Sequence, residues 1–152
     1  MAFGDGLMIR SSHTLVGDYE FISKYDDAVD TEAADFEHRW QLYVDGADKP
    51  PLKPDAEPTY IKLRHLKDSE RIAAFELGER DGGALLLVAR MALLGVRGFE
   101  IDGKPYEPKF GTIRYAGDKY RAVTRESLDE LPGQIQLEIG TVALARSNLR
   151  PS

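Results

Sequence analysis

Cysteine is absent from the 152 residues, tryptophan occurs once, and histidine and methionine occur three times each. Lack of cysteine excludes a disulfide scaffold, a thiol nucleophile, an iron–sulfur cluster and any cysteine-type zinc site. The three histidines, His13, His38 and His65, form no i, i+4 pair and have no second metal-type ligand on an evident common face, so no metal and no cofactor is expected. Basic charge is in deficit: 20 Lys and Arg against 26 Asp and Glu leave a net charge of −6. No general field therefore draws the chain to phosphate backbones or anionic lipid, and nucleic acid is a disfavoured partner. Long hydrophobic runs are missing as well. The strongest, residues 84–96, is interrupted by Arg90 and falls short of the roughly 20 residues that span a bilayer, so no membrane contact is expected. The first residues carry neither a basic stretch nor an apolar core of the secretory type, and no export signal is expected.

Catalytic signatures are equally sparse. Neither a Gly-x-Ser-x-Gly elbow nor a Gly-x-Gly-x-x-Gly turn occurs. The segment from Gly98 to Gly103 and Lys104 has phosphate-loop spacing, but Pro105 stands where the magnesium-binding hydroxyl belongs and two acids lie inside the loop, so it reads as a turn. Asp26 with Asp27 and Asp129 with Glu130 are carboxylate pairs of the kind found on solvated faces. Glu37 and His38 are adjacent in sequence, and side chains at i and i+1 point apart. No side chain is assigned a chemical step, and the chain reads as a non-enzyme.

The remaining composition, 42% hydrophobic, 30% charged and 9% aromatic, is that of a globular domain, and the length suits one domain. Charge divides it unevenly. Residues 1–57 hold 13 acids and 5 bases, 5 − 13 = −8, whereas residues 58–152 hold 15 bases and 13 acids, 15 − 13 = +2. This predicts an acidic N-terminal arm with short strands over 1–57 and an α+β core domain over 58–152. The arm's Phe21, Phe36, Trp40 and Tyr43 each offer on the order of 150–250 Å² to bury. They are expected to dock on another protein or another copy of the chain, with Tyr115, Tyr120 and Arg121 of a later hairpin completing the partner-binding set.

Within the arm, residues 15–22 and the alternation at Trp40, Leu42 and Val44 predict strands, the second ending at the Asp45, Gly46 turn. Residues 26–37 read as an acidic loop or a short exposed helix, and residues 45–58, with Pro50, Pro51, Pro54 and Pro58, as a loop. Residues 59–66 alternate as a half-buried strand with Ile61 and Leu63 inward. A helix from about Asp68 to Gly78 or Arg80 follows, capped by Asp68 or Ser69, with Ile72 and Phe75 opening its apolar stripe, and Asp81, Gly82 and Gly83 breaking it. Residues 84–94 predict the central helix of the core, Leu86 included, closed by Gly95 and Gly98. Residues 99–105 read as a strand into a turn. Residues 112–116 and 120–124 form a hairpin about Gly117, Asp118 and Lys119, with Arg125 extending its basic side. Ser127 and Glu130 match a capping box, Pro132 marks the start of the main helix, and Leu131, Ile135, Ile139, Val142 and Leu149 form its stripe, weakened at Gly140. The sum is an α+β fold of antiparallel strands or hairpins packed on two or three helices.

Three groups of residues carry a resemblance. They are Tyr60, Ile61, Lys62, Leu63, Arg64, His65 and Leu66; then Leu94, Gly95, Val96, Arg97, Gly98 and Phe99 with Asp102, Gly103, Lys104 and Pro105; then Glu126, Ser127, Leu128, Asp129, Glu130, Leu131 and Pro132. In this order, over about residues 58–149, the chain resembles the tail assembly chaperones of tailed bacteriophages. That resemblance implies a non-enzymatic morphogenesis protein acting by protein–protein contact in the host cytoplasm during assembly, with other phage structural or tail proteins, or a second copy, as partners. The hairpin and the acidic arm lie outside the family pattern and favour an alternative, a head decoration, connector or tail component retained in the virion. A small nucleic-acid-binding protein, suggested by Lys119, Arg121 and Arg125 beside Tyr115 and Tyr120, is the second alternative.

Overall fold

The computed structural model describes residues 18–81 and 83–147. Helices and antiparallel strands alternate along the chain, and the α+β class expected from the sequence is the class observed. His13, Gly82, Leu149 and the first residues of the 15–22 strand lie outside the described residues.

Strand β1 (Tyr19–Phe21) pairs with β2 (Tyr60–Leu63), and β2 pairs with β3 (Leu93–Arg97), giving an antiparallel sheet in the order β1-β2-β3. Alternation works as expected in β2, where Ile61 and Leu63 are buried and Lys62 is exposed. Between β1 and β2 lies α1 (Phe36–Val44), and here the expected strand at Trp40 to Val44 is corrected. Phe36, Trp40, Tyr43 and Val44 fall at i, i+4, i+7 and i+8, one face of a helix. A strand would bury Leu42 with Trp40 and turn Tyr43 outward; Leu42 is instead 49% exposed and Tyr43 3%. Residues 45–58 remain a loop, held by a single bridge between Val29 and Leu52.

Helix α2 (Asp68–Asp81) begins where expected. Glu70 reaches back to accept from the Lys67 N–H at 2.9 Å, which satisfies a free donor at the helix start, while Asp68 pairs with Arg71. Its inward face differs from the expected one. Ala73 and Ala74 are fully buried, whereas Ile72 and Phe75 are 57% and 47% exposed, because small residues let α2 lie close against its neighbour.

Helix α3 (Ala84–Ala92) is central, but it stops two residues before the expected end at Leu94. From Leu93 the chain is extended as β3, so Ile61 faces Val96 and Leu63 faces Leu93 across the sheet. An all-apolar run has no periodicity to separate helix from buried strand, and the pairing need of β2 decides it. Leu86 is partly exposed; the core side of α3 is Leu87, Val88, Met91 and Ala92.

After β3, β4 (Glu100–Ile101) and β5 (Lys104–Pro105) form a small hairpin about Asp102 and Gly103, so the phosphate-loop spacing is a turn. Strands β6 (Phe110–Tyr115) and β7 (Asp118–Val123) form the expected two-stranded ribbon. Its turn is Ala116 and Gly117, with φ of 52° and 84°, a tighter turn than one at Gly117 to Lys119; Asp118 and Lys119 are already paired in β7. Helix α4 (Arg125–Asp129) is capped by Thr124, whose Oγ1 accepts from the Ser127 N–H at 3.1 Å. Ser127 is thus inside the helix and buried; its Oγ accepts from the Lys109 N–H at 2.8 Å and its carbonyl from the Tyr106 hydroxyl at 2.5 Å.

Helix α5 (Gly133–Ser147) starts after Pro132, as expected, and buries Ile139, Val142 and Ala143. Gly140 is no weak point. A Cβ there would stand 2.3 Å from the Leu85 carbonyl oxygen, so Gly140 is what lets α5 pass close against the backbone of α3. Gly140→Ala is therefore expected to destabilise by about 1–3 kcal/mol despite alanine's better helix propensity. Gly133→Ala, with open space around its Cβ, should cost nothing. Urea denaturation of both variants checks this, and equal midpoints would remove the close contact.

Candidate functional site

Aromatic residues of the expected arm are enclosed by the chain's own core. Phe21, Phe36, Trp40 and Tyr43 are at most 7% exposed, and they belong to the same cluster as Leu63, Leu93, Ile139 and Val142. Phe21 stacks on Tyr43 with centroids 5.0 Å apart, and Trp40 meets Phe21 edge-on at 5.9 Å. These four are therefore not available as a docking surface, and the described part of residues 1–57 packs into one core with the rest. The reason is the helical register of α1, which gathers onto one face the apolar side chains that a strand would have divided.

At the centre of this cluster is Arg146 of α5, a residue the sequence reading did not single out. Its guanidinium donates to the carbonyls of Val44 at 3.2 Å and Tyr43 at 2.6 Å, the last turn of α1, and lies over the rings of Tyr19, Phe21 and Tyr43 at 4.9–5.5 Å. Burial lowers the Arg146 pKa, and the same burial pushes the Tyr19 hydroxyl up to about 12.

Of the remaining partner-binding candidates, Arg121 is exposed while Tyr115 and Tyr120 are half-buried against the core. Alternation along the ribbon explains the difference. Ile113, Tyr115 and Tyr120 share one face, and Arg114, Lys119 and Arg121 share the other. Arg121 covers the Phe110 ring at 4.0 Å. Beside the ribbon lies a groove of about 460 Å³ whose opposite wall is the β2–α2 connection with Arg64, Lys67, Ser69 and Glu70. Glu70 is engaged there: Arg64 donates to both its oxygens at 3.0 and 2.5 Å. Burial opposes its ionisation, but Arg64 and the Lys67 N–H outweigh that and hold its pKa below the ordinary value.

A second cleft, about 500 Å³, opens where the buried face of the β1-β2-β3 sheet ends. Ile61, Val96, Phe99, Leu131 and Ile135 make it apolar, and Asp26, Asp27 and Glu57 stand at it. Asp26 is a structural staple, since its two oxygens accept from the Ala28 and Thr59 N–H groups at 2.9 and 2.7 Å. Behind Ser23, Glu138 accepts from the Lys24 N–H at 2.8 Å. Large apolar side chains are also exposed at Tyr25 and Leu42, besides Ile72 and Phe75. An exposed apolar helix face leaves the same 3.6-residue trace in sequence as a buried one, so α2's outer side could not be recognised from spacing.

Among the described residues, no group of three or more His, Cys, Asp or Glu side chains could hold a metal ion, and no helix is long and apolar enough to cross a membrane. Comparison with family models, with curated proteins and with solved structures finds no match to this chain.

Glu138 generates a pH prediction. Burial raises its pKa above the ordinary 4.5, against the Ser23 hydroxyl and the Lys24 N–H and charge, so the fold disfavours its ionised form. Above the raised pKa the folded protein bears that penalty. As pH falls through it toward 4.5 the folded carboxyl becomes neutral and the penalty disappears. Glu138→Gln, which keeps an acceptor for Lys24, is expected to raise Tm at pH 7.5 and to lose that advantage near pH 4.5. Melting curves across this range check it, and an advantage that grew on acidification would contradict it.

Proposed function

We propose that this chain is a non-enzymatic assembly protein that works by protein–protein contact. The observation that carries the reading is the outer face of α2, where Ile72 and Phe75 stand one turn apart in solvent, at 57% and 47% exposure, on a helix whose other face is committed to the core. Two large apolar side chains side by side on an exposed helix face are what helix-in-groove recognition uses as anchors. The resemblance over residues 58–149 gives the setting: bacteriophage morphogenesis, with a tail assembly chaperone as the preferred version and a virion component retained in the particle as the other.

The basic face of the ribbon favours one further reading, single-stranded nucleic acid. Against it, bases need open rings to stack on, and Tyr115 and Tyr120 are half-buried against the core, although Tyr120 also lines the groove beside Lys119 and Arg121.

Affinity purification of the tagged chain from phage-producing cells tests the proposal. A chaperone is expected to co-purify with a tape-measure or tail-tube protein and to be missing from finished particles by mass spectrometry; a retained component is expected there in fixed stoichiometry. Ile72→Ser with Phe75→Ser should weaken capture at least tenfold while thermal stability changes by less than about 1 kcal/mol, the usual range for exposed positions. Recovery of the same proteins at the same yield by the double variant would overturn the role of α2, and turnover abolished by a single Asp, Glu or His substitution would overturn the non-enzymatic reading.

A further inference from the structure

The groove between β7 and the β2–α2 connection collects four cations, Arg64, Lys67, Lys119 and Arg121, against two carboxylates, Glu70 and Asp118. Glu70 is already taken by Arg64. Lys67, Lys119 and Arg121 make no ion pair among the described residues. Cations left together in this way are notable in a chain with six more acids than bases. The excess acid is elsewhere. Residues 18–57 hold 12 Asp and Glu against 4 Lys and Arg. Ion pairs join that segment to the rest, among the described residues, only at Asp18 with Lys62 and Glu20 with Arg97. Asp27, Glu32, Asp35 and Asp45 are exposed on its surface together with the apolar Tyr25 and Leu42.

The two surfaces match in polarity as well as in charge. Ser69 lines the groove, and Ile72 lies one turn further along the same helix face, with Phe75 one turn beyond it. The apolar anchors thus follow the groove along α2, and the segment 25–45 carries exposed acids together with exposed Tyr25 and Leu42. We infer that the groove and the outer face of α2 receive the acidic segment of a second copy of this chain. Placed head to tail, with groove and segment on separate faces, the contact is heterologous. Such a pair keeps one groove and one acidic segment unused, one on each copy, so association continues until a ring closes or a filament grows. A contact of this kind steers partners by charge and is sensitive to salt, because the Debye length is about 10 Å at 0.1 M and about 3 Å at 1 M. It shares Ile72 and Phe75 with the proposed contact to other assembly proteins, so the two partners compete for the α2 face; loss of self-association would remove this contact and leave that reading to its co-purification test.

Sedimentation velocity of the full chain over a concentration series tests the inference. Species larger than monomer are expected at low salt and should dissociate near 1 M. Lys119→Glu with Arg121→Glu should weaken association by about a hundredfold, since like charges brought together cost several kcal/mol. Asp27→Lys with Glu32→Lys should do the same, and an equimolar mixture of the two double variants should associate again. Circular dichroism confirms that each variant is folded, and Lys119→Ala, a milder change, should give an intermediate effect. A monomer under all conditions would overturn the inference, as would association indifferent to the groove substitutions or a mixture that stays dissociated. Capture of a single-stranded oligonucleotide by a chain that remains monomeric, lost on the groove substitutions, would assign the groove to nucleic acid instead.

Discussion

A buried guanidinium holds the two ends of this fold together. Arg146 lies near the end of α5, yet its hydrogen bonds go to the last carbonyls of α1, about a hundred residues earlier in the chain. Those carbonyls form the negative end of a helix dipole, and a cation there is favoured by about 0.3–1 kcal/mol on a surface and up to about 2 where partly buried. Three rings supply the remainder of the environment, their π faces turned toward a cation that has lost most of its water. Hydrogen bonds to a charged group contribute about 1.5–3 kcal/mol each, which offsets the desolvation that burial imposes. Helix C-terminus, aromatic cluster and guanidinium therefore need one another: without Arg146 the Val44 carbonyl loses its side-chain donor and the Tyr43 carbonyl is left with the Gly46 N–H, and without the rings the charge has no shelter.

From this follows the disposition of charge. With Phe21, Phe36, Trp40 and Tyr43 turned inward, the acids between and beside them face outward, so an acidic segment becomes an acidic surface fixed on the core. The opposite sign accumulates where the ribbon and the start of α2 meet, because β7 alternates and only its outer face can carry Lys119 and Arg121. Both surfaces are consequences of packing, and each is presented on an element held by the core.

Several features were legible in the sequence because one period or one turn residue decides them. Ile61 and Leu63 inward in β2, the ribbon, the start of α5 after Pro132 and the α+β class are of this kind. Others were settled by distant contacts. The stretch from Trp40 to Val44 supports period 2 and period 3.6 equally over five residues, and only Phe36, with the seat offered by Phe21 and Arg146, selects the helix. Leu93 continues an apolar helix in sequence but leaves it because β2 requires a second neighbour. Of the residues proposed to bind a partner, Arg121 was legible as an exposed cation, whereas Ile72 and Phe75 look in sequence like core positions. Nothing local announces that Ala73 and Ala74 are the side that packs.

The most direct measurement is hydrogen exchange on Arg146→Met, a substitution that keeps the apolar stem and removes the guanidinium. Amides of residues 36–44 and 19–21 are expected to lose protection selectively, while those of α3 and α5 retain it, because α1 and β1 are the elements the guanidinium ties to α5. Unchanged protection in α1, or a uniform loss across all elements, would contradict the view that this one contact fixes the N-terminal segment on the core.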